Sequence, residues 1–218
     1  MDKARRWSGF PLLPASPRFR PANTIEQMDD LPTFAAWRLV DAHEGFDVVF
    51  LDAGSERHRV HGYSTGVEEG EAWGFSYELE LDTGWVTRSA SVRGRTAAGE
   101  HQAVLETDGA GGWLVDGKPS PALDGVLDID LEGSAFTNAL PVHRLGLAVG
   151  DRADAPAAYV RAFDASVERL EQTYERLEDD GERPRYDYAS PRFGYRGELV
   201  YDRFGLVLNY PGLAVRVC

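Results

Sequence analysis

The sequence predicts a mainly β protein, a single domain whose strands run as an antiparallel meander curling into an open or closed barrel. Three observations carry that prediction. From Phe34 onward the chain is written in short apolar runs broken by turn residues. Several runs alternate, as where Phe75, Tyr77, Leu79 and Leu81 fall at every second position with Ser76, Glu78 and Glu80 between them. The runs recur at about ten residues per strand, the spacing of sandwiches and barrels.

Taken in order, the first set of predicted strands is 34–40, 46–51, 57–63, 72–81, 85–93 and 101–107. The breaks among and after them, Asp82-Thr83-Gly84, Ala98-Gly99, Asp108-Gly109, Gly111-Gly112 and Asp116-Gly117, favour the positive φ of tight hairpin turns. A second set follows at 157–163, 185–188, 193–201, 206–210 and 213–217. Two stretches resist a strand reading. Residues 140–149 begin with Pro141 and read as a helical turn leading into a strand. In 166–177, Val167, Leu170, Tyr174 and Leu177 lie at helical spacing behind Ser166 as an N-cap, which periodicity reads as a helix.

The first 29 residues stand apart from the domain at 30–218. Lys3, Arg5, Arg6, Arg18 and Arg20 are opposed there only by Asp2 over the first 22 positions, among four prolines. The stretch reads as a Pro/Arg-rich tail, or as a strap held on the domain by Trp7, Phe10 and Phe19. Its apolar run is short and cut by Pro11, unlike a secretory signal. With no run near the ~18 apolar residues of a membrane helix, the expectation is a cytoplasmic, not membrane-spanning, protein.

A net charge of −13 excludes phosphate-driven binding of nucleic acid. Lysine occurs only at Lys3 and Lys118, so nearly all of the 23 basic residues are Arg. Acidic excess with so little lysine suits a salt-adapted protein, because salt screens the repulsion among carboxylates. The single cysteine, Cys218, excludes an internal disulfide.

Chemistry is sparse. There is no Gly-x-Ser-x-Gly elbow, and the glycines at 109–112 lack phosphate-loop spacing. Of His43, His58, His61, His101 and His143, the pair His58 and His61 would point to opposite faces of a strand, so no metal ligation and no cofactor is expected from local structure. Asp128 and Asp130 share a face if 127–131 is a strand, a pairing that serves acid–base work, cation binding or simple structure. Aromatic residues recur beside Arg, Asp or Asn, which suits either a core edged by Arg or a concave surface where rings receive a sugar or acyl chain.

The order of certain blocks resembles one family. Gly112-Trp113, the run Leu123-Asp124-Gly125-Val126-Leu127-Asp128-Ile129-Asp130-Leu131, and Phe136-Thr137-Asn138-Ala139-Leu140-Pro141-Val142-His143-Arg144-Leu145 resemble the signature of the family called Putative glycolipid-binding. Gln172-Thr173-Tyr174, Tyr186-Asp187-Tyr188, Asp202, the block Gly205 through Leu213 and Arg216 look like its closing motifs. Trp37-Arg38, Gly45 and Trp85-Val86-Thr87-Arg88 match on the N-terminal side.

The resemblance implies a strongly curved antiparallel sheet, a half-barrel with few short helices, similar to the lipoprotein carriers LolA and LolB, enclosing an apolar cavity. It also implies a bent strand rather than a helix at 166–177. The expected function is a non-catalytic binding module for an amphiphilic small molecule, a glycolipid or fatty-acyl compound. The candidate platforms are Trp37, Trp85 and Trp113, and the candidate rim or cavity cations are Arg38, Arg88, Arg144 and Arg216. Asp130, Thr137, Asn138, Tyr174, Tyr188, Asp202 and Tyr210 complete the candidate site. Two alternatives stand beside it: an enzyme using Asp130, Asp202 or His143 as acid or base, and a closed-core interaction domain.

Overall fold

The computed structural model describes residues 31–41 and 44–218. The tail at 1–29, with Trp7, Phe10 and Phe19, and His43 lie outside the described residues. The strands are β1 (Phe34–Leu39), β2 (Glu44–Ala53), β3 (Arg57–Glu68), β4 (Glu71–Asp82), β5 (Thr87–Thr96), β6 (Gly99–Thr107), β7 (Trp113–Val115), β8 (Lys118–Pro119), β9 (Asp128–Leu131), β10 (Arg152–Asp154), β11 (Ala157–Val160), β12 (Val167–Leu170), β13 (Thr173–Asp180), β14 (Arg183–Ser190), β15 (Tyr195–Tyr201), β16 (Val207–Tyr210) and β17 (Ala214–Arg216). A short helix, α1 (Ala139–Leu145), continues a 3-10 turn at Phe136–Asn138.

Fourteen strands form one antiparallel sheet in the order β10-β13-β14-β15-β16-β17-β1-β2-β3-β4-β5-β6-β7-β8. The predicted meander is thus two meanders, β1–β8 and β13–β17. They are joined where β1 pairs with β17, placing Trp37 opposite Arg216. The sheet does not close. One edge is the two-residue β8, whose Pro119 has no N–H to offer, and the other is the charged three-residue β10. Short, charged or proline-bearing edges discourage pairing with another chain.

Inside the curve the alternation is used fully. Strand β4 sends Trp73, Phe75, Tyr77, Leu79 and Leu81 inward, while β3 sends His58, Val60, Gly62, Ser64 and Gly66. The small residues on β3 make room for the rings on β4. A Cβ at Gly62 would lie 1.9 Å from the Tyr77 ring, and one at Gly66 would lie 2.4 Å from Trp73.

A second sheet, β12-β11-β9, lies in the concavity, with β9 parallel to β11 and every residue of both buried. From β9 the chain runs through α1 between the two halves of the large sheet. On one flank Ser64 donates to the Gly133 carbonyl at 2.8 Å, and the Tyr77 and Ser134 hydroxyls are 3.1 Å apart. On the other flank the Tyr174 and Tyr201 hydroxyls donate to Asn138 Oδ1 and O at 2.9 and 3.3 Å. A sheet whose distant strands reach one segment must wrap around it, which is the half-barrel. Phe136, Leu140 and Ile129 of that segment fill the core.

Three expectations need correction. Residues 166–177 are not helical but contain β12 and the start of β13. Val167 and Leu170 on β12, and Tyr174 and Leu177 on β13, are three residues apart and so fall on opposite faces of their strands, and the chain leaves the small sheet for the large one at Glu171-Gln172. Residues 140–149 give the end of α1, closed by Gly146 in the left-handed region, without the strand expected to follow. The strand expected from Trp85 begins at Thr87, because Asp82 Oδ1 accepts the N–H groups of Gly84 and Val86 and holds Trp85 in a turn at φ 65°.

Candidate functional site

A cleft of about 290 Å³ opens where the end of β9 meets β14–β16. Its polar groups are Asp130 on β9, Glu132 and Ser134 in the following turn, Asn138 before α1, and Glu68 at the end of β3. Its aromatic walls are Tyr159 on β11, Tyr188 on β14, Phe193 in the turn before β15, Tyr195 on β15 and Tyr210 on β16. A larger depression, about 640 Å³, lies over β3–β6 around Tyr63, Arg93 and Gln102. It is open to solvent, whereas the cleft is where buried polar groups and rings converge.

Tertiary contacts fix each cleft side chain. The Tyr188, Tyr195 and Tyr210 rings form a triangle with centroids 5.4 to 5.9 Å apart and planes inclined by 48 to 71°. Tyr159 and Phe193 make a second pair at 5.5 Å. Steeply inclined rings act as walls rather than as a stack. Tyr195 donates to the Pro211 carbonyl at 2.8 Å, and Tyr159 donates to Glu132 Oε1 at 2.9 Å. Glu132 Oε2 accepts the Ala162 N–H at 2.7 Å.

Asp130 is the centre of this arrangement. Thr137 Oγ1 donates to its Oδ1 at 2.8 Å, and the Gln172 amide donates to its Oδ2. Burial pushes its carboxyl up to about 6 despite these donors. Two residues earlier Asp128 has a different partner: Arg144 grips both its oxygens, at 2.9 and 2.6 Å. Asp130 has no such cation. The rings next to it are held neutral, since burial raises the Tyr188 and Tyr210 hydroxyls well above the ordinary tyrosine value.

Of the candidate residues, Asp130, Asn138, Tyr188 and Tyr210 line the cleft. Thr137 and Tyr174 stand behind it, as hydrogen-bond partners of Asp130 and Asn138. The others lie elsewhere. Trp37 is fully buried, with its indole donating to the Val207 carbonyl at 2.7 Å, under the Arg216 guanidinium. Asp202 caps its own turn through the Phe204 and Leu206 N–H groups, 3.6 Å from Arg216. Trp85 stacks on His143 at 3.6 Å with the rings 1° from parallel. Arg88 pairs with Asp82 at 2.7 Å, and the Trp113 indole donates to the Val126 carbonyl at 2.9 Å. Arg38 points outward into solvent.

The histidines have structural surroundings or face solvent. His143 Nε2 lies 2.9 Å from the Phe204 carbonyl, and burial lowers its imidazole to about 4. His101 Nε2 lies 2.8 Å from the Ala162 carbonyl, His58 is buried 5.8 Å from Trp85, and His61 is exposed. Among the described residues, no group of three or more His, Cys, Asp or Glu side chains is placed to hold a metal.

Sequence reasoning passed over Glu132, Tyr159, Phe193 and Tyr195 as lining and Gln172 as support. Two of these carried a signal: Glu132 follows Asp128 and Asp130 at the same two-residue interval, and Gln172 stands in the Gln172-Thr173-Tyr174 motif. The rest come together only through the parallel β9–β11 pairing and the turn after β14.

Fold and site together define an open antiparallel half-barrel with an aromatic, acidic cleft at the rim of its filled interior. The chain belongs to the family described as Putative glycolipid-binding, whose model matches residues 34–216. A solved DUF1089 family protein from Pseudomonas aeruginosa is 32% identical, with a TM-score of 0.69, over 78% of this chain and 92% of that one. A beta-barrel-like protein of the domain of unknown function DUF1849 from Brucella abortus is 11% identical, with a TM-score of 0.46, over 84% of this chain and 92% of that one. No curated protein matches the chain. None of its helices is long and apolar enough to cross a membrane, among the described residues.

Proposed function

We propose that the protein is a non-catalytic binding module that seats the polar head of an amphiphilic ligand, of the glycolipid kind its family description names, in the cleft around Asp130. The observation that carries this reading is the convergence of five aromatic rings with Asp130, Glu132 and Asn138 on one opening of about 290 Å³. That volume falls near the lower end of the ~300–1,000 Å³ usual for small-molecule sites, which suits a head group rather than a whole lipid. Ring faces cover the C–H surface of a sugar, while carboxylate and amide oxygens accept its hydroxyls. With Phe136, Leu140 and Ile129 filling the interior, an acyl chain would leave the cleft past the exposed ring of Phe193.

A binding role is favoured over catalysis because the candidate acids and bases are separated and already engaged. Asp130 is held by Thr137 and Gln172, Asp202 by backbone N–H groups, and His143 stacks on Trp85. Nuclear magnetic resonance titration with octyl glucoside, kept below its micelle threshold, tests the proposal. Saturable shifts at Tyr188, Tyr195 and Tyr210 are expected, weakened at least about fivefold by Phe193→Ala, whose ring is half exposed, with an unchanged unfolding midpoint verifying that the variant is folded. Shifts that never saturate, or that ignore this substitution, would overturn it.

A further inference from the structure

We infer that the cleft selects a positively charged head group, an ammonium carried by an amino sugar or by a quaternary amine, over neutral and anionic heads. This rests on the reading that the cleft is the ligand site.

Among the described residues, Glu68, Asp130 and Glu132 line the opening and no Lys, Arg or His does, while Arg161 lies 3.9 Å from Glu132 behind the lining. An anionic head would meet the carboxylate of Asp130, whose partners Thr137 and Gln172 are both neutral. It would also find few free donors, because the Tyr159 and Tyr195 hydroxyls are spent on Glu132 and Pro211.

The contrast between Asp128 and Asp130 is the strongest argument. Both are buried on the same short strand. Asp128 has the Arg144 guanidinium on both oxygens. Asp130 receives only the neutral Thr137 and Gln172 donors and faces the cleft, with Glu132 and Asp128 adding further negative potential. A buried carboxylate without a counter-charge is unfavourable, and an ammonium in the cleft would supply what Arg144 supplies to Asp128. The raised carboxyl of Asp130 is consistent with that missing cation.

The walls suit the same ligand. Aromatic faces are electrostatically negative, and a cation within ~6 Å of a ring centroid is drawn to them. Tyr188, Tyr195 and Tyr210 present three such rings at steep mutual angles beside Asp130, with Tyr159 and Phe193 opposite. Rings and carboxylates around one space are the chemistry that recognises a substituted ammonium.

Calorimetric titration of the full chain at about pH 7 and low salt compares methyl glucoside, methyl glucosaminide, its N-acetylated form and tetramethylammonium. The charged glucosaminide is expected to bind at least about tenfold tighter than its neutral counterparts, with affinity falling as salt is raised. If tetramethylammonium matches it, the ligand is of the quaternary amine class; if it does not, of the amino sugar class; both outcomes support the inference. Glu132→Gln and, separately, Asp130→Asn should bring the charged-to-neutral ratio towards one, with unfolding midpoints verifying that each variant is folded. Equal binding of charged and neutral glycosides overturns the selectivity and leaves the cleft reading standing. No saturable binding by any of the four overturns both.

Discussion

Ser134 donates its hydroxyl to Oδ2 of Asp47 at 2.9 Å, and neither residue reaches solvent. Tyr77 Oη and the Ala135 N–H complete the cradle at 3.1 and 3.0 Å, so the carboxyl of β2 fastens the turn after β9 to the large sheet. Burial outweighs these donors and pushes Asp47 up to about 7 from an ordinary value of 3.8. The folded protein therefore holds that proton more tightly than the unfolded chain, and the associated stability is full below about pH 4 and lost as pH rises towards 7. Asp130, raised to about 6, acts in the same direction. His143, lowered from 6.5 to about 4, acts oppositely, its share being present above about 6.5 and lost on acidification. The opposing slopes overlap below about pH 6.5, leaving Asp47 exposed as the main slope above it. Urea midpoints should fall from about pH 6 to about pH 8, and Asp47→Asn should flatten that fall. An unchanged slope in the variant would refute this role for Asp47.

The Gly62–Tyr77 pair makes a steric prediction. A methyl at position 62 would lie 1.9 Å from Tyr77 Cζ. Gly62→Ala should destabilise by about 1–3 kcal/mol, the usual range for overpacking, or more if the ring cannot yield. In a Tyr77→Leu background the same substitution should cost markedly less. A double-mutant cycle measures the coupling, and strict additivity would count against the clash.

The Asp128–Arg144 pair is nearly dry, with side chains 2% and 15% exposed. Arg144→Met leaves a buried carboxylate unpaired and should destabilise by about 3–5 kcal/mol. Adding Asp128→Asn should restore part of that loss, measured by chemical unfolding. A double variant as unstable as the sum of the two singles would argue that the pair has no special coupling.

With 36 acidic residues against 23 basic ones, the folded chain repels itself in dilute buffer. Molar potassium chloride should raise the thermal midpoint by about 5 °C or more, as screening removes repulsion that compaction concentrates. A midpoint that falls on adding salt would dismiss salt adaptation.

Much of the sheet was legible. Alternation and turn residues located β1 to β6 and β14 to β17, because hairpin strands depend on local pattern and on turns that need positive φ. The Phe136-Thr137-Asn138 block also stood out, and the structure gives its components work. Phe136 fills the core, Thr137 holds Asp130, and Asn138 accepts from Tyr174.

Other features were decided only in three dimensions. On β2 alternation alone would bury the Phe46 and Phe50 face, yet both rings are half exposed and Asp47 points inward. A residue distant in sequence, Ser134, makes the buried carboxyl tolerable, and no local pattern can carry that information. The helical spacing at 166–177 was overridden by pairing with β11 and β14. The cleft draws on β3, β9, β11, β14, β15 and β16. The sequence by itself therefore determined a β meander, its turns and its family; the interior-filling segment and the walls around Asp130 were set by long-range pairing, because burial and hydrogen-bond satisfaction are settled by partners that only folding brings together.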